Sequence, residues 1–304
     1  MKSASSGDAN AMLNIGVCYQ YGIGVQRDHL EAIRWYHSSA RLEYAPALSF
    51  IGFCYENGIG VAKNINKAIE YFSRSLENGD WLCLANLGSF YLNGIGVEKN
   101  IDKAVTLFRR GMEYGDLRCM LNLGVCYEHG TGVQIDFSKA FDLFSRSAKG
   151  GDPIGMYKLG LCYSRGVGVP SDSKISEYWI EKSAISGEPR AMIDLGLSIE
   201  NKARCEDNLA ESFEWYHKAA NTNHPSGMAE LGRCYLRGIG VSQNFDKAIY
   251  WLQKSANLKD SYGMHYLGAC YHEGEILDKD YSKALSFNLK NWSLGLKIRA
   301  YTEA

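Results

Sequence analysis

Apolar positions along this chain follow two alternating helical rhythms. Met12, Ile15, Gly16 and Tyr19 fall at i, i+3, i+4 and i+7, the spacing of a helix with one buried stripe. Ile65, Ala68, Ile69, Tyr71, Phe72 and Leu76 cover more than half a helical circumference, as expected of a helix enclosed between its hairpin partner and the next hairpin. The first kind is called helix A here and the second helix B.

The pattern recurs without an insertion or deletion. Gly16, Gly52, Gly88, Gly124, Gly160, Gly196, Gly232 and Gly268 are spaced by 36 residues throughout. Three residues later stand Tyr19, Tyr55, Tyr91, Tyr127, Tyr163, Tyr235 and Tyr271, with Ile199 as the one replacement. Helix A is predicted to stop at Gly22-Ile23-Gly24-Val25 and at five further copies of this turn, because paired glycines accept the positive φ of a helix end. Asp28, Asn64, Asn100, Asp136, Asp172, Asn208, Asn244 and Asp280 then fill one column with good N-caps, which places the start of helix B. Helix B closes near Gly79, Gly115, Gly151 and Gly187. All five prolines lie in loops or in the first turn of helix A, where a missing N–H is tolerated.

A glycine inside helix A costs about 1 kcal/mol relative to alanine, so close packing must compensate. The expected partner is the small helix B column Ala32, Ala68, Ala104, Ala140, Ser176, Ser212, Ala248 and Ala284. A second small column, from Ala11 and Ala47 to Gly227 and Gly263, predicts another tight contact.

A helical pair carrying Leu-Gly-x-x-Tyr, Gly-x-Gly-Val and Asp/Asn-x-x-Lys-Ala resembles the Sel-one-like repeat family, relatives of the tetratricopeptide repeats. The resemblance covers essentially the whole chain. It implies an all-α fold, a right-handed α-α superhelix (solenoid) of eight 36-residue helix-turn-helix repeats. Residues 1–7 would be the tail of a preceding repeat, 8–259 seven repeats, and 260–304 an eighth repeat with a C-terminal capping helix around Trp292 to Ile298. Lys2-Ser3-Ala4-Ser5-Ser6-Gly7 aligns with Lys182 to Gly187, so the chain is expected to begin inside a repeat of a longer protein.

For function the resemblance implies an adaptor, as in relatives that serve endoplasmic-reticulum quality control, chitin synthase activation, bacterial signalling and host interaction. It implies no enzyme activity and no cofactor. Two alternatives stand beside it. One is a β-lactam hydrolase, a property linked to some cysteine-rich bacterial relatives whose cysteines pair between helix A and the end of helix B. Here that helix B column reads Ala40, Leu76, Met112, Ala148, Ala184, Ala220, Ala256 and Trp292, which cannot pair. The other is a targeting arm of a larger enzyme.

Charge narrows the partners. With 33 basic and 34 acidic residues, the balance points to neither nucleic acid nor membrane. No apolar stretch is long enough to span a bilayer or to lead secretion, so a cytoplasmic, monomeric protein is expected. Six of the nine cysteines, Cys18, Cys54, Cys126, Cys162, Cys234 and Cys270, share one column with Phe90 and Ser198, which reads as packing. Cys205, in the altered turn of repeat six, is expected to be more exposed. The Gly-x-Gly turns follow helices rather than strands, which excludes a phosphate loop, and the histidines are scattered. Arg74, Arg110, Arg146, Lys182, Lys218, Lys254 and Lys290 form a ladder near the C-terminal end of helix B, where cations complement the helix dipole.

The candidate binding face is the side of helix A turned away from helix B, a concave groove in solenoids of this type. Two variable columns are expected to line it. One runs Leu13, Ser49, Ala85, Leu121, Tyr157, Ile193, Ala229 and His265; the other runs Tyr21, Asn57, Asn93, His129, Arg165, Asn201, Arg237 and Glu273. Within it Tyr157, Lys158, Arg165, Arg233 and Arg237 form a basic, partly aromatic patch suited to an acidic peptide, with Asp194, Glu200 and Glu230 nearby. Repeat six lacks the turn glycines, and its helix A is expected to run longer.

Overall fold

The computed structural model describes residues 7–202, 206–274, 277 and 279–287. The predicted tail of a preceding repeat is thus almost wholly outside the described residues, as are Cys205 and the C-terminal capping helix. Every regular element among the described residues is an α-helix. Repeats one to four comprise α1 (Ala9–Tyr21), α2 (His29–Ala40), α3 (Ala45–Asn57), α4 (Ile65–Glu77), α5 (Leu84–Asn93), α6 (Ile101–Glu113), α7 (Leu117–His129) and α8 (Phe137–Lys149). Repeats five to eight comprise α9 (Pro153–Arg165), α10 (Ser173–Ile185), α11 (Pro189–Lys202), α12 (Glu206–Asn221), α13 (Pro225–Arg237), α14 (Phe245–Asn257) and α15 (Ser261–Glu273), followed by helix at 281–287. None of these is long and apolar enough to cross a membrane.

The fold is an all-α solenoid of consecutive helical hairpins, and the chain divides into two compact units. Unit one is Met1–Gly155 with Val167–Val169; unit two is Met156–Gly166 with Pro170–Ala304. In unit one α3, α5 and α7 each pack on the B helix that follows and the one that precedes. In unit two α11 and α13 do the same.

Local chemistry explains each boundary. Gly22 ends α1 at φ 73°, its N–H donating to the carbonyl of Cys18, and the equivalent glycines end α3, α5, α7 and α13 in the same way. The Asp28 carboxylate accepts from the N–H groups of Leu30 and Glu31 at 2.9 and 3.0 Å and so starts α2. Its own N–H donates to the Tyr19 carbonyl at 2.9 Å, and the same bond joins Asn64 to Tyr55, Asn100 to Tyr91 and Asn244 to Tyr235. The cap column therefore also fastens the turn to helix A.

The glycine column has a different principal partner from the one its neighbours suggest. A Cβ on Gly52 would lie 2.7 Å from Cδ1 and Cε1 of Phe72, and one on Gly124 would lie 2.7 Å from Phe144 Cε1. Tyr36 meets Gly16 and Tyr216 meets Gly196 likewise. The small column lies fully buried just beside it, but the space left by glycine is occupied by the large side chain one turn further along helix B. These rings are among the largest fully buried side chains, and burying each is worth roughly 1.5–3 kcal/mol. The second small column behaves as expected, with Gly227 against Ala219 and Gly263 against Ser255 of the preceding B helix.

Repeat six departs only slightly. Helix α11 reaches Lys202, one residue beyond the equivalent of Tyr21, and α12 starts at Glu206, three residues before the equivalent of His29. The predicted extension of helix A is thus a single described residue.

Candidate binding surface on the A helices

The two columns expected to line the binding face separate in the structure. Tyr21, Asn57, Asn93, His129, Arg165, Asn201, Arg237 and Glu273 are all exposed. The other column is mostly interior: Leu13, Ser49, Ala85, Leu121, Ile193 and Ala229 are buried, Tyr157 is half-buried, and only His265 is exposed. This corrects the expectation. Leu13 belongs to the same buried cluster as Ala47 and Ile51 of the next A helix, so the column fills the seam between successive A helices.

Unit two holds all five residues of the predicted basic patch, and the structure gives them different roles. Arg165 and Arg237 are exposed, and neither forms an ion pair among the described residues. Arg237 lies 6.0 Å from the ring centre of Tyr266. Lys158 is half-buried on α9. Tyr157 is turned to an acid, donating its hydroxyl to Asp194 Oδ2 at 2.9 Å, and burial followed by that neighbouring charge raises its pKa well above the usual phenol range.

Arg233 is not part of an open basic surface. It is buried, 7% exposed, with Nη1 and Nη2 donating to the two Glu200 oxygens at 2.9 and 2.6 Å and Nε donating to Glu230 Oε2 at 2.7 Å. Tyr216 completes the group by donating to Glu200 Oε2 at 2.9 Å. Hydrogen bonds from Arg233 hold the Glu200 carboxyl below the usual range in spite of burial. Two of the three acids expected only to lie nearby, Glu200 and Glu230, are the partners of this guanidinium, and Glu200 reaches it from the preceding repeat.

Each unit has a cavity on its A-helix face. In unit two a space of about 420 Å³ is lined by Asp194 and Glu230, with Tyr157, Tyr262, Leu197 and Arg190 around them. Burial pushes the Asp194 carboxyl upward, against the hydrogen bond from Tyr157 and the charge of Arg165. In unit one a space of about 230 Å³ is more apolar, with Tyr21, Phe50, Phe53 and Leu82 beside Asn86 and Arg118. There Arg118 donates to the Leu82 carbonyl at 2.8 Å and to Asn86 Oδ1 at 3.2 Å, while Asn86 Nδ2 donates to Glu56 at 2.8 Å.

The other chemistry singled out in the sequence is structural. Cys54, Cys126, Cys162, Cys234 and Cys270 are buried and Cys18 half-buried. Burial pushes the Cys54 and Cys234 thiols up to about 12 and Cys126 to about 11. In the cation ladder of helix B, Arg74, Lys182, Lys218 and Lys254 lie over aromatic rings of their own helix, as Lys218 does at 4.0 Å over Trp215, while Arg146 faces Asp142 at 3.8 Å and Lys290 lies outside the described residues. The lysine of the Lys-Ala motif covers the helix A tyrosine, as Lys103 does over Tyr91 at 4.0 Å.

Two further columns carry structure that the sequence reading missed. Asp8, Asp116 and Asp260 cap helix A as their counterparts cap helix B. Ser39 and Ser75 donate to the carbonyls of Ala9 and Ala45, both at 2.7 Å, latching the end of helix B to the start of helix A. Asp80 draws Ser49 and Ser75 into a buried cluster, its Oδ2 accepting from Ser49 at 2.6 Å and lying 3.0 Å from the Ser75 hydroxyl oxygen. Both columns keep the 36-residue register in most repeats, the aspartate replaced at Tyr44, Glu188 and His224 and the serine at Gly111 and Ala219, so the same search could have found them.

Comparison with known proteins follows the same units. The Sel1 repeat is matched eight times, over residues 9–44, 45–80, 81–113, 117–152, 153–188, 189–224, 225–260 and 261–287. The solved structure of a Sel1 repeat protein from Oxalobacter formigenes is 25% identical with a TM-score of 0.62, covering 88% of this chain and 77% of that one. The c5321 protein, a protective antigen of uropathogenic Escherichia coli strains displaying an SLR fold, is 29% identical with a TM-score of 0.58; 97% of this chain aligns with 63% of it. A 45-residue segment is 42% identical to DAP3-binding cell death enhancer 1 of Rattus norvegicus, corresponding to 15% of this chain and 9% of the rat protein. The chain thus spans less than two thirds of the length of the c5321 protein and a small part of the rat protein.

Proposed function

The chain belongs to the Sel1 repeat family, and we propose that it is a protein-binding scaffold whose A-helix face in unit two receives an acidic segment of its partner. The observation that carries this reading is the pair Arg165 and Arg237. They occupy the same position in repeats five and seven, both are exposed, and neither has an ion pair among the described residues. Guanidinium groups left in this state are ready to form forked bonds with carboxylates. Arg233 supports the face from beneath instead of contacting the partner. That the rat relative is by name a DAP3-binding protein favours a protein partner here as well.

The experiment is affinity capture with the full chain and with the double variant Arg165→Glu, Arg237→Glu. Partner recovery is expected to fall by about tenfold or more as opposite charges become like ones. Undiminished recovery by a folded double variant would remove this surface from the reading. Turnover of nitrocefin by the purified chain would replace the scaffold with a hydrolase.

A further inference from the structure

We propose that the unit-two cavity over Asp194 and Glu230 is a specificity pocket that takes the lysine or arginine side chain of an otherwise acidic, extended segment. This deepens the scaffold reading and rests on it. Asp194 and Glu230 line the cavity, and behind Glu230 the buried Arg233 is shared with a further carboxylate, Glu200. All three guanidinium nitrogens are already engaged with Glu200 and Glu230, which leaves Asp194 with the Tyr157 hydroxyl at 2.9 Å. The floor therefore carries more negative than positive charge.

Asp194 is the acid with most to gain from a visitor. It is half-buried, and desolvation disfavours its ionised form more than Tyr157 and Arg165 favour it. A cation arriving from the partner would supply what water no longer does. The walls suit a long side chain: Ile193 and Leu197 provide an aliphatic surface for its stem, and Tyr157 and Tyr262 present rings to its charged end.

The rim sets the second half of the specificity. Arg190 lines the same cavity and is exposed, and Arg165 and Arg237 stand exposed on the same face of unit two. His224 also borders the cavity, while Asp260 accepts a hydrogen bond from Ser226 at 2.8 Å. A cation entering alone would be repelled by Arg190 at the cavity and by the exposed Arg165 and Arg237 of the same face. One flanked by aspartate or glutamate meets complementary charge at both levels, so the pattern selected is acidic, basic, acidic along an extended chain.

The test uses two fluorescein-labelled synthetic peptides, both rich in glutamate and aspartate, with either lysine or uncharged norleucine at the centre. Anisotropy titrations on the full chain are expected to show the lysine peptide binding about tenfold more tightly. Asp194→Asn, which keeps an acceptor for Tyr157, should erase that ratio by removing the lysine peptide's advantage over the norleucine peptide. Equal affinity of the two peptides for the unaltered chain would overturn the pocket and leave the acidic-segment reading intact. A ratio that survives in Asp194→Asn would overturn it as well. If neither peptide binds, the scaffold surface itself fails and the pocket with it.

Discussion

Gly52 on α3 lies flat against the ring of Phe72 on α4, so that a methyl group added to the glycine would meet two ring carbons at 2.7 Å. Phe72 is 2% exposed, so displacing its ring disturbs the packed interior of the hairpin. This contact is the unit of hairpin packing, repeated with other rings along the chain.

Gly52→Ala is accordingly expected to destabilise the fold. Overpacking costs about 1–3 kcal/mol, and the better helix propensity of alanine returns about 1 kcal/mol. A fall in the urea unfolding midpoint without a change of slope is the expected result. An unchanged midpoint would mean that Phe72 yields freely.

Replacing Arg233 by Met should be far more damaging, because it leaves Glu200 and Glu230 facing each other without their shared cation. The expected loss is about 3–5 kcal/mol at neutral pH. The Glu200 carboxyl has a folded-state pKa below its unfolded one, chiefly through the hydrogen bonds from Arg233. Its contribution is therefore complete above the ordinary glutamate value of about 4.3 and is lost as pH falls through the lower, folded value. Unfolding midpoints measured from neutral pH into acid should show that loss in the parent chain but not in Arg233→Met.

Helix B ends on a left-handed residue in every repeat for which the angle is described. Glycine fills it at Gly79, Gly115, Gly151 and Gly187, but Glu43, Asn223 and Lys259 hold φ of 55°, 62° and 63° in the other repeats. Glu43→Gly and Lys259→Gly should each raise stability by about 0.5–1 kcal/mol, since the left-handed conformation costs residues with a Cβ about 1–2 kcal/mol and glycine returns part of this as unfolded-state entropy. Differential scanning calorimetry would check it; a lower melting temperature in either variant would contradict the strain argument.

The buried thiols should be inert in the native chain. Cys54, Cys119 and Cys234 are pushed up to about 12, and Cys83 and Cys126 to about 11, with burial the leading cause in each. Iodoacetamide at pH near 8 should leave these five unmodified until denaturant is added, as peptide mapping by mass spectrometry would record. Prompt native-state alkylation of Cys54 would contradict its burial.

The hairpin, its turn and the cap of helix B were legible because each is governed by residues close together in the chain. Gly22 with Gly24, and Asp28 with the N–H groups of Leu30 and Glu31, settle their conformations within a few positions. Copying the unit at 36 residues turned these local signals into columns, and the packing role of the cysteines was visible in that register. The aspartate caps of helix A and the serine latch follow the same register but are interrupted, at Tyr44, Glu188 and His224 and at Gly111 and Ala219, which makes them fainter than the unbroken cap column of helix B.

What only the tertiary structure decided lies between helices. That Gly52 meets Phe72 rather than Ala68 depends on the depth at which two helices interlock, which periodicity does not specify. That Leu13 and Ser49 are buried while Tyr21 and Asn57 are exposed depends on how closely one A helix approaches the next. The basic patch was misread at Arg233 for the same reason: its neutralising partner Glu200 lies 33 residues away and becomes a neighbour only when repeat six stacks on repeat seven. Short-range sterics and capping are written in adjacent residues, whereas the balance of buried charge exists only once separate helices share one low-dielectric space.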